Sequence, residues 1–167
     1  MQLNTLITKE QIAERVKELG EELSKEYVDR CPLVIGVLKG AFIFTADLVR
    51  AMNTPVEVDF IRFASYEGTQ STGNVRLIHD LTIDCAGRDI LVVEDIVDTG
   101  QTLEALIRIL KTRRPKSLKI CALLAHKDHV NTIDFVGFQS HEGFVVGYGL
   151  DLYGRYRELP HIASVHS

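Results

Sequence analysis

Residues 92–103 read VVEDIVDTGQTL and hold the densest cluster of chemically capable side chains in the sequence. An apolar run enters two adjacent carboxylates, Glu94 and Asp95. Two apolar residues follow, then Asp98, Thr99 and Gly100, and a helical pattern starts near Thr102. Glu94 and Asp95 offer hard oxygens, suited to sugar hydroxyls or to a Mg²⁺ ion bridging a sugar and a diphosphate. The turn after them suits a phosphate, because the first N–H groups of a helix lack internal partners and the helix dipole is positive there. Thr99 and Thr102 add hydroxyl donors, and Gly100 lets the backbone approach an anion closely. In a strand that ran on, Glu94 and Asp95 would face opposite sides, so joint action predicts that the strand ends at them. The plainer alternative is a solvated strand end and a hydrogen-bonded turn, with Asp98 as a helix N-cap. Asp-Thr-Gly also marks aspartic proteases, but those need a second copy in a β-rich setting, which the sequence lacks.

Other elements must position that stretch. Thr8 and Gln11 can form a capping box, and Ile12, Val16, Leu19, Leu23 and Tyr27 recur at helical spacing, which predicts an amphipathic helix over 9–28. Residues 33–38 (LVIGVL), 89–93 (DILVV) and 118–124 (LKICALL) are short apolar runs of the kind buried on both faces of a sheet. Lys39-Gly40 follows the first run, a buried helix is predicted over 41–52, and 56–63 alternates as a strand does. Residues 64–74, with Ser65 and Tyr66, are polar and carry two glycines, the pattern of a mobile loop. Leu103, Leu106, Ile107 and Leu110 place an apolar stripe on the helix after the acidic motif. Residues 134–138 and 144–148 are further strand candidates. Alternating apolar strands and helices imply an α/β fold, a parallel sheet flanked by helices on both faces. No repeat, low-complexity tract or linker divides residues 1–167, so a single domain is expected.

Composition narrows the function. At 167 residues, 46% hydrophobic and 25% charged, the chain can bury a sizeable core. A formal net charge of −4 leaves no excess positive charge to draw in a polyanion, so nucleic acid is not an expected partner. No apolar run is long enough to cross a bilayer, and the N-terminus has no basic flank before an apolar stretch, so neither membrane attachment nor export is expected. Cys31, Cys85 and Cys121 are odd in number and widely spaced, which suits reduced thiols and a cytoplasmic location.

The order of two apolar residues, two acids, two apolar residues and Asp-Thr-Gly-x-Thr resembles the phosphoribosyl pyrophosphate motif of the type I phosphoribosyltransferases. VLKGAFIF at 37–44, ASY at 64–66 and FVVGYGLD at 144–151 are similar to segments of the hypoxanthine-guanine members of that family, in order along most of the chain. The resemblance implies a type I phosphoribosyltransferase fold with a core over about 30–140 and a small hood built from the chain termini. It also implies transfer of a 5-phosphoribosyl group to hypoxanthine or guanine, giving IMP or GMP and pyrophosphate, and a homodimer or homotetramer. By similarity, Asp98, Thr99, Gly100, Gln101 and Thr102 hold the 5′-phosphate, Glu94 and Asp95 face the ribose, and Asp98 accepts a proton from the purine. Lys39, Gly40 and Arg157 fall on the pyrophosphate site, Ser65 and Tyr66 on a closing loop, and Phe144 and Val145 on the base site. Mg²⁺ would be held by Glu94 and Asp95, with a second ion at Asp151.

The match thins between Leu124 and Asp134, where the chain is shorter than the family's usual segment. The spacing of the family's base-reading lysine falls on His126, with Lys127 one residue later. Lys127 is favoured, because an ammonium donor suits a 6-oxo group. His126 and His129, with Asp128, leave a metal site as an alternative. Leu152 replaces a tyrosine common in the family, which bears on packing of the hood. Two other functions stay open at this point: a regulator that senses phosphoribosyl pyrophosphate, or a transferase for another base such as adenine or a pyrimidine.

Overall fold

A computed structural model describes residues 1–65 and 75–166, with the backbone alone at Ser65. The chain starts with strand β1 (Gln2–Ile7), then helix α1 (Lys9–Glu26), β2 (Leu33–Leu38), α2 (Phe42–Ala51) and β3 (Glu57–Ser65). It continues through β4 (Val75–His79), β5 (Asp89–Val97), α3 (Gln101–Thr112), β6 (Ser117–Ala125), β7 (Phe135–Gln139), β8 (Val145–Val146) and β9 (Ile162–His166). The predicted capping box closes α1: Thr8 Oγ1 accepts the Gln11 N–H at 3.2 Å and Gln11 Oε1 accepts the Thr8 N–H at 2.8 Å. The helix stops at Glu26, two residues short of the prediction, with Tyr27 as its C-cap.

Six strands form one sheet in the order β4-β3-β2-β5-β6-β7, parallel except for β4, which returns antiparallel along β3. The expected all-parallel sheet is therefore mixed at one edge, since a hairpin needs no crossover. Pleating separates two cores. Val34, Leu91, Val93, Cys121 and Leu123 pack with Leu19, Leu23, Phe44 and Leu48 of α1 and α2. Their sequence neighbours Leu33, Ile35, Ile90, Val92, Ile120 and Ala122 pack with Leu106 and Leu110 of α3 on the other face. Continuous apolar runs are what such two-sided burial requires, and each fully buried Leu or Ile contributes about 1.5–3 kcal/mol.

The second sheet, β1-β9-β8, is antiparallel and joins both chain ends, with Gln2 opposite His166. It matches the small hood expected from the termini. Sequence periodicity missed β1, β4 and β9, which are all short, and β1 and β4 are mostly unburied. The 144–148 strand candidate shrinks to Val145–Val146, because Gly147, Tyr148 and Gly149 all turn with positive φ. Tyr148 anchors this region to α2 through a hydrogen bond from its hydroxyl to Asp47. Leu152 sits in a short bridge with Arg155. Cys31, Cys85 and Cys121 are all free thiols. Among the described residues no helix is long and apolar enough to cross a membrane.

Candidate active site

From β2 the chain crosses by α2 to β3 on one side, and from β5 it crosses by α3 to β6 on the other. Two neighbouring parallel strands with opposite exits open a crevice beyond their carboxyl ends. The loops that border it are Lys39-Gly40 after β2 and Asp98-Thr99-Gly100 after β5, two of the segments singled out from sequence.

β5 does not end at the acids. It runs on to Val97, with Ile96 and Val97 still paired to Leu124 and Ala125 of β6. The expectation that the strand stops at Glu94 and Asp95 is corrected, and so is the reasoning that joint action requires it. Pairing with β2 stops at Val93, opposite Gly36. From Glu94 onward β5 has lost that neighbour, so both acids border the crevice although the pleat sends them to opposite sides. A concavity of about 260 Å³ there is lined by Glu94, Asp95, Asp98, Thr99, Gly100 and Thr102, with Leu38, Phe63, Ile96 and Leu103 as apolar walls. A larger one, about 510 Å³, lies where α1 and α2 meet residues 158–160; its wall is mainly apolar and it holds none of the sequence-marked site residues.

Gly100 is the N-cap of α3 at φ +80°, a conformation that costs glycine little. No side chain caps this helix, so the N-cap alternative for Asp98 is corrected: Asp98 is exposed on the turn before the cap. The Gly100 carbonyl accepts the Glu104 N–H at 2.9 Å, and the Gln101 N–H reaches Thr99 Oγ1 at 3.4 Å. α3 opens at Gln101, one residue before the predicted start, and Gln101 is not among the residues that line the concavity.

Asp95, on β5, reaches the loop that follows β2. Its Oδ1 accepts the Ile96 N–H at 2.7 Å, and its Oδ2 fills the space that a Cβ on Gly40 would take. The carbonyl of Gly40 in turn packs against Gly149. Arg157 donates to the Gly149 carbonyl at 2.5 Å and pairs with Asp151 at 3.0 Å, while Asp151 also accepts the Gly154 N–H at 2.7 Å. Gly40, Arg157 and Asp151, distant in sequence, are thereby gathered beside Asp95. Lys39 follows a cis Leu38–Lys39 bond and is exposed.

Charge in this corner is held out of water. Burial pushes the Glu94 carboxyl well above the usual range and the charge of Asp95 adds to it, against a hydrogen bond from the Asp95 N–H. Burial also raises Asp95, opposed by the Ile96 and Asp95 N–H groups and by Arg157, with Asp151 raising it further. A buried acid beside a half-buried one, both with raised pKa, suits a cation or hydroxyl donors.

At the hood, Phe144 is 54% exposed just before β8, an aromatic face open to stacking, while Val145 is buried and paired with Ser164. Lys127 is exposed in the turn after β6, and that turn is tied to the strand end by the His126 N–H to the Val97 carbonyl at 2.8 Å. His126 pairs with Asp128 at 3.2 Å, yet no group of three or more His, Cys, Asp or Glu at metal-holding separations exists among the described residues. Ser65 closes β3, so the predicted loop begins later than residue 64; Tyr66 and the rest of that loop lie outside the described residues. Sequence reasoning missed the close approach at Gly149 and considered His129 only for a metal site, whereas its ring stands against Gly100. A glycine on each side of Tyr148 was the signal available for the first.

A mostly parallel sheet with an Asp-Thr-Gly turn after one strand and a Lys-Gly loop after its neighbour accords with a phosphoribosyl transferase domain, and the family model of that description matches residues 3–152. The sequence is 49% identical to the hypoxanthine-guanine phosphoribosyltransferase of Bacillus subtilis over 94% of this chain and 89% of that one. It is 46% identical to the enzyme of the same name from Mycobacterium avium, over 97% and 85%. A solved hypoxanthine-guanine phosphoribosyltransferase structure from Bacillus anthracis superposes with a TM-score of 0.92 at 42% identity, covering 98% of both chains. The chain belongs to the hypoxanthine-guanine phosphoribosyltransferase family.

Proposed function

We propose that this enzyme moves the 5-phosphoribosyl group from phosphoribosyl pyrophosphate to hypoxanthine or guanine in purine salvage, giving IMP or GMP and pyrophosphate. The observation that carries this reading is the gathering of Glu94, Asp95, Asp98, Thr99, Gly100 and Thr102 around one concavity at the β2/β5 crevice.

The N–H groups at the start of α3 and the hydroxyls of Thr99 and Thr102 would take the 5′-phosphate. Gln101 would take part through its backbone. Lys39, Gly40 and Arg157 would hold the diphosphate, and Glu94 and Asp95 the ribose hydroxyls. Phe144 would stack on the purine, with the backbone of Val145 and the ammonium of Lys127 reading its edge. In the reaction the bond from the anomeric carbon to the diphosphate oxygen breaks and the bond to the purine nitrogen forms. Positive charge grows on the sugar between them, and nearby carboxylates offset it. Asp98, exposed at the mouth of the phosphate turn, accepts the proton that the purine nitrogen loses. Ser65 and Tyr66 would belong to the loop that keeps water from that cation.

Mg²⁺ fits the donor set. Glu94 and Asp95 offer hard oxygens whose raised pKa a cation would relieve, and an ion held by two carboxylates would keep water and substrate oxygens, as Mg²⁺ does. Asp151, already engaged by Arg157, is the residue for a second ion. When bound, the metal supplies neutralisation of the diphosphate charge. A cytoplasmic homodimer or homotetramer acting on small molecules, with no nucleic acid or membrane partner, completes the proposal.

The test is turnover with phosphoribosyl pyrophosphate, Mg²⁺ and, in turn, hypoxanthine, guanine, xanthine, adenine and uracil. Nucleotide from the 6-oxopurines is expected. Nucleotide from adenine or uracil alone would reassign the base, and none from any would leave a sensor of the activated sugar.

A further inference from the structure

The turn after β6 carries both Lys127 and His129, and it is fixed at several points. The His126 N–H donates to the carbonyl of Val97, the last residue of β5, at 2.8 Å. Within the turn the His129 N–H donates to the His126 carbonyl at 2.8 Å. The His129 carbonyl accepts the Thr132 N–H and the Thr132 hydroxyl, both at 2.9 Å. The backbone is thus held on both sides of His129, and its half-buried ring stands against the phosphate turn. A Cβ placed on Gly100 would lie 3.1 Å from His129 Cε1, 3.5 Å from Nε2 and 3.6 Å from Nδ1. The ring therefore covers the bare side of the one residue on which that turn pivots, in a helix start that no side chain caps.

A nucleotide joins its base to its ester phosphate through a single ribose, so the sites for the two must keep one separation for attack to be in line. Lys127 and His129 are two residues apart on the same tethered turn, one at the proposed base site and one on the phosphate turn. We infer that His129 is a positioning residue, its ring holding the Gly100 turn in place for the 5′-phosphate from the same segment that presents Lys127 to the purine. This rests on the phosphoribosyl transfer proposed above. It also gives the short 126–133 segment a purpose: less chain between β6 and β7 leaves the turn less slack.

His129→Ala should raise KM for phosphoribosyl pyrophosphate roughly tenfold, the scale expected for a loosened substrate-positioning contact. KM for hypoxanthine at saturating phosphoribosyl pyrophosphate, kcat and the midpoint of thermal unfolding should stay near wild type. His129→Phe, which keeps a ring over Gly100 without its nitrogens, should recover most of the loss. An unchanged KM for the sugar diphosphate in His129→Ala, an equal rise in both KM values, or failure of His129→Phe to recover it would each overturn the inference. Wild-type protein that forms no nucleotide would instead remove the transferase reading, and this inference with it.

Discussion

Asp95 and Gly40, on neighbouring strand ends, share one space: the carboxylate oxygen lies where a side chain on Gly40 would have to go. Parallel pairing sets β5 beside the loop that leaves β2, and only a residue without a Cβ in that loop lets the acid of β5 reach into it. The contact joins the proposed ribose and diphosphate sites, so it links local packing directly to catalysis.

Gly40→Ala should therefore displace Asp95 or the loop itself. About a hundredfold loss in kcat/KM is expected, dominated by KM for phosphoribosyl pyrophosphate, with the chain still folded by circular dichroism. Near-normal kinetics would mean that the Asp95–Gly40 contact does not matter to the reaction.

Asp98→Asn leaves shape and hydrogen-bonding size almost unchanged but removes the proton acceptor. Turnover should fall by about 10²–10⁴, while affinity for phosphoribosyl pyrophosphate changes little. Parallel losses in both quantities would argue for a binding role alone.

Phe144 is exposed and contributes little to the core, so Phe144→Ala should barely alter the thermal midpoint. Loss of stacking, worth about 1–3 kcal/mol per base, should raise KM for hypoxanthine about tenfold and leave KM for the sugar diphosphate alone. A wild-type KM for hypoxanthine would remove Phe144 from the base site.

Asp59 gives a pH-dependent prediction far from the chemistry. Burial raises its carboxyl, but hydrogen bonds from the Ile83, Phe60 and Thr82 N–H groups and the Thr82 hydroxyl outweigh that and leave it below the ordinary value of 3.8. A lowered folded-state pKa means that the stabilisation is complete above the unfolded value and lost as pH falls through the folded one. Asp59→Asn, which turns an amide toward those donors, should cost about 1–3 kcal/mol at neutral pH. The gap to wild type should close only below pH 3.8, in urea melts run across the acid range. A gap that stays constant with pH would show that the charge on Asp59 is not what holds β3 to residues 82–83.

How much was legible in the sequence follows from how far each signal reaches along the chain. Runs such as LVIGVL and DILVV are apolar without interruption because two-sided burial demands it at every position, so the parallel strands, their helices and the turn at 98–102 could be read from local pattern. The capping box at Thr8 and Gln11 is a contact three residues long and was equally visible. Strands β1 and β9 are paired across almost the whole chain, Gln2 to His166, and no window of neighbours encodes that. The same holds for the length of β5: its sequence marks the acids, but the extension to Val97 is decided by β6, and the opening beside Glu94 by where β2 stops. Residue types and order alone marked which groups are candidates for phosphate, sugar and proton chemistry. Tertiary structure decided that Asp95 meets Gly40, that Arg157 reaches Gly149 and that His129 rests on Gly100, because close approach is set by the packing of segments that sequence distance keeps apart.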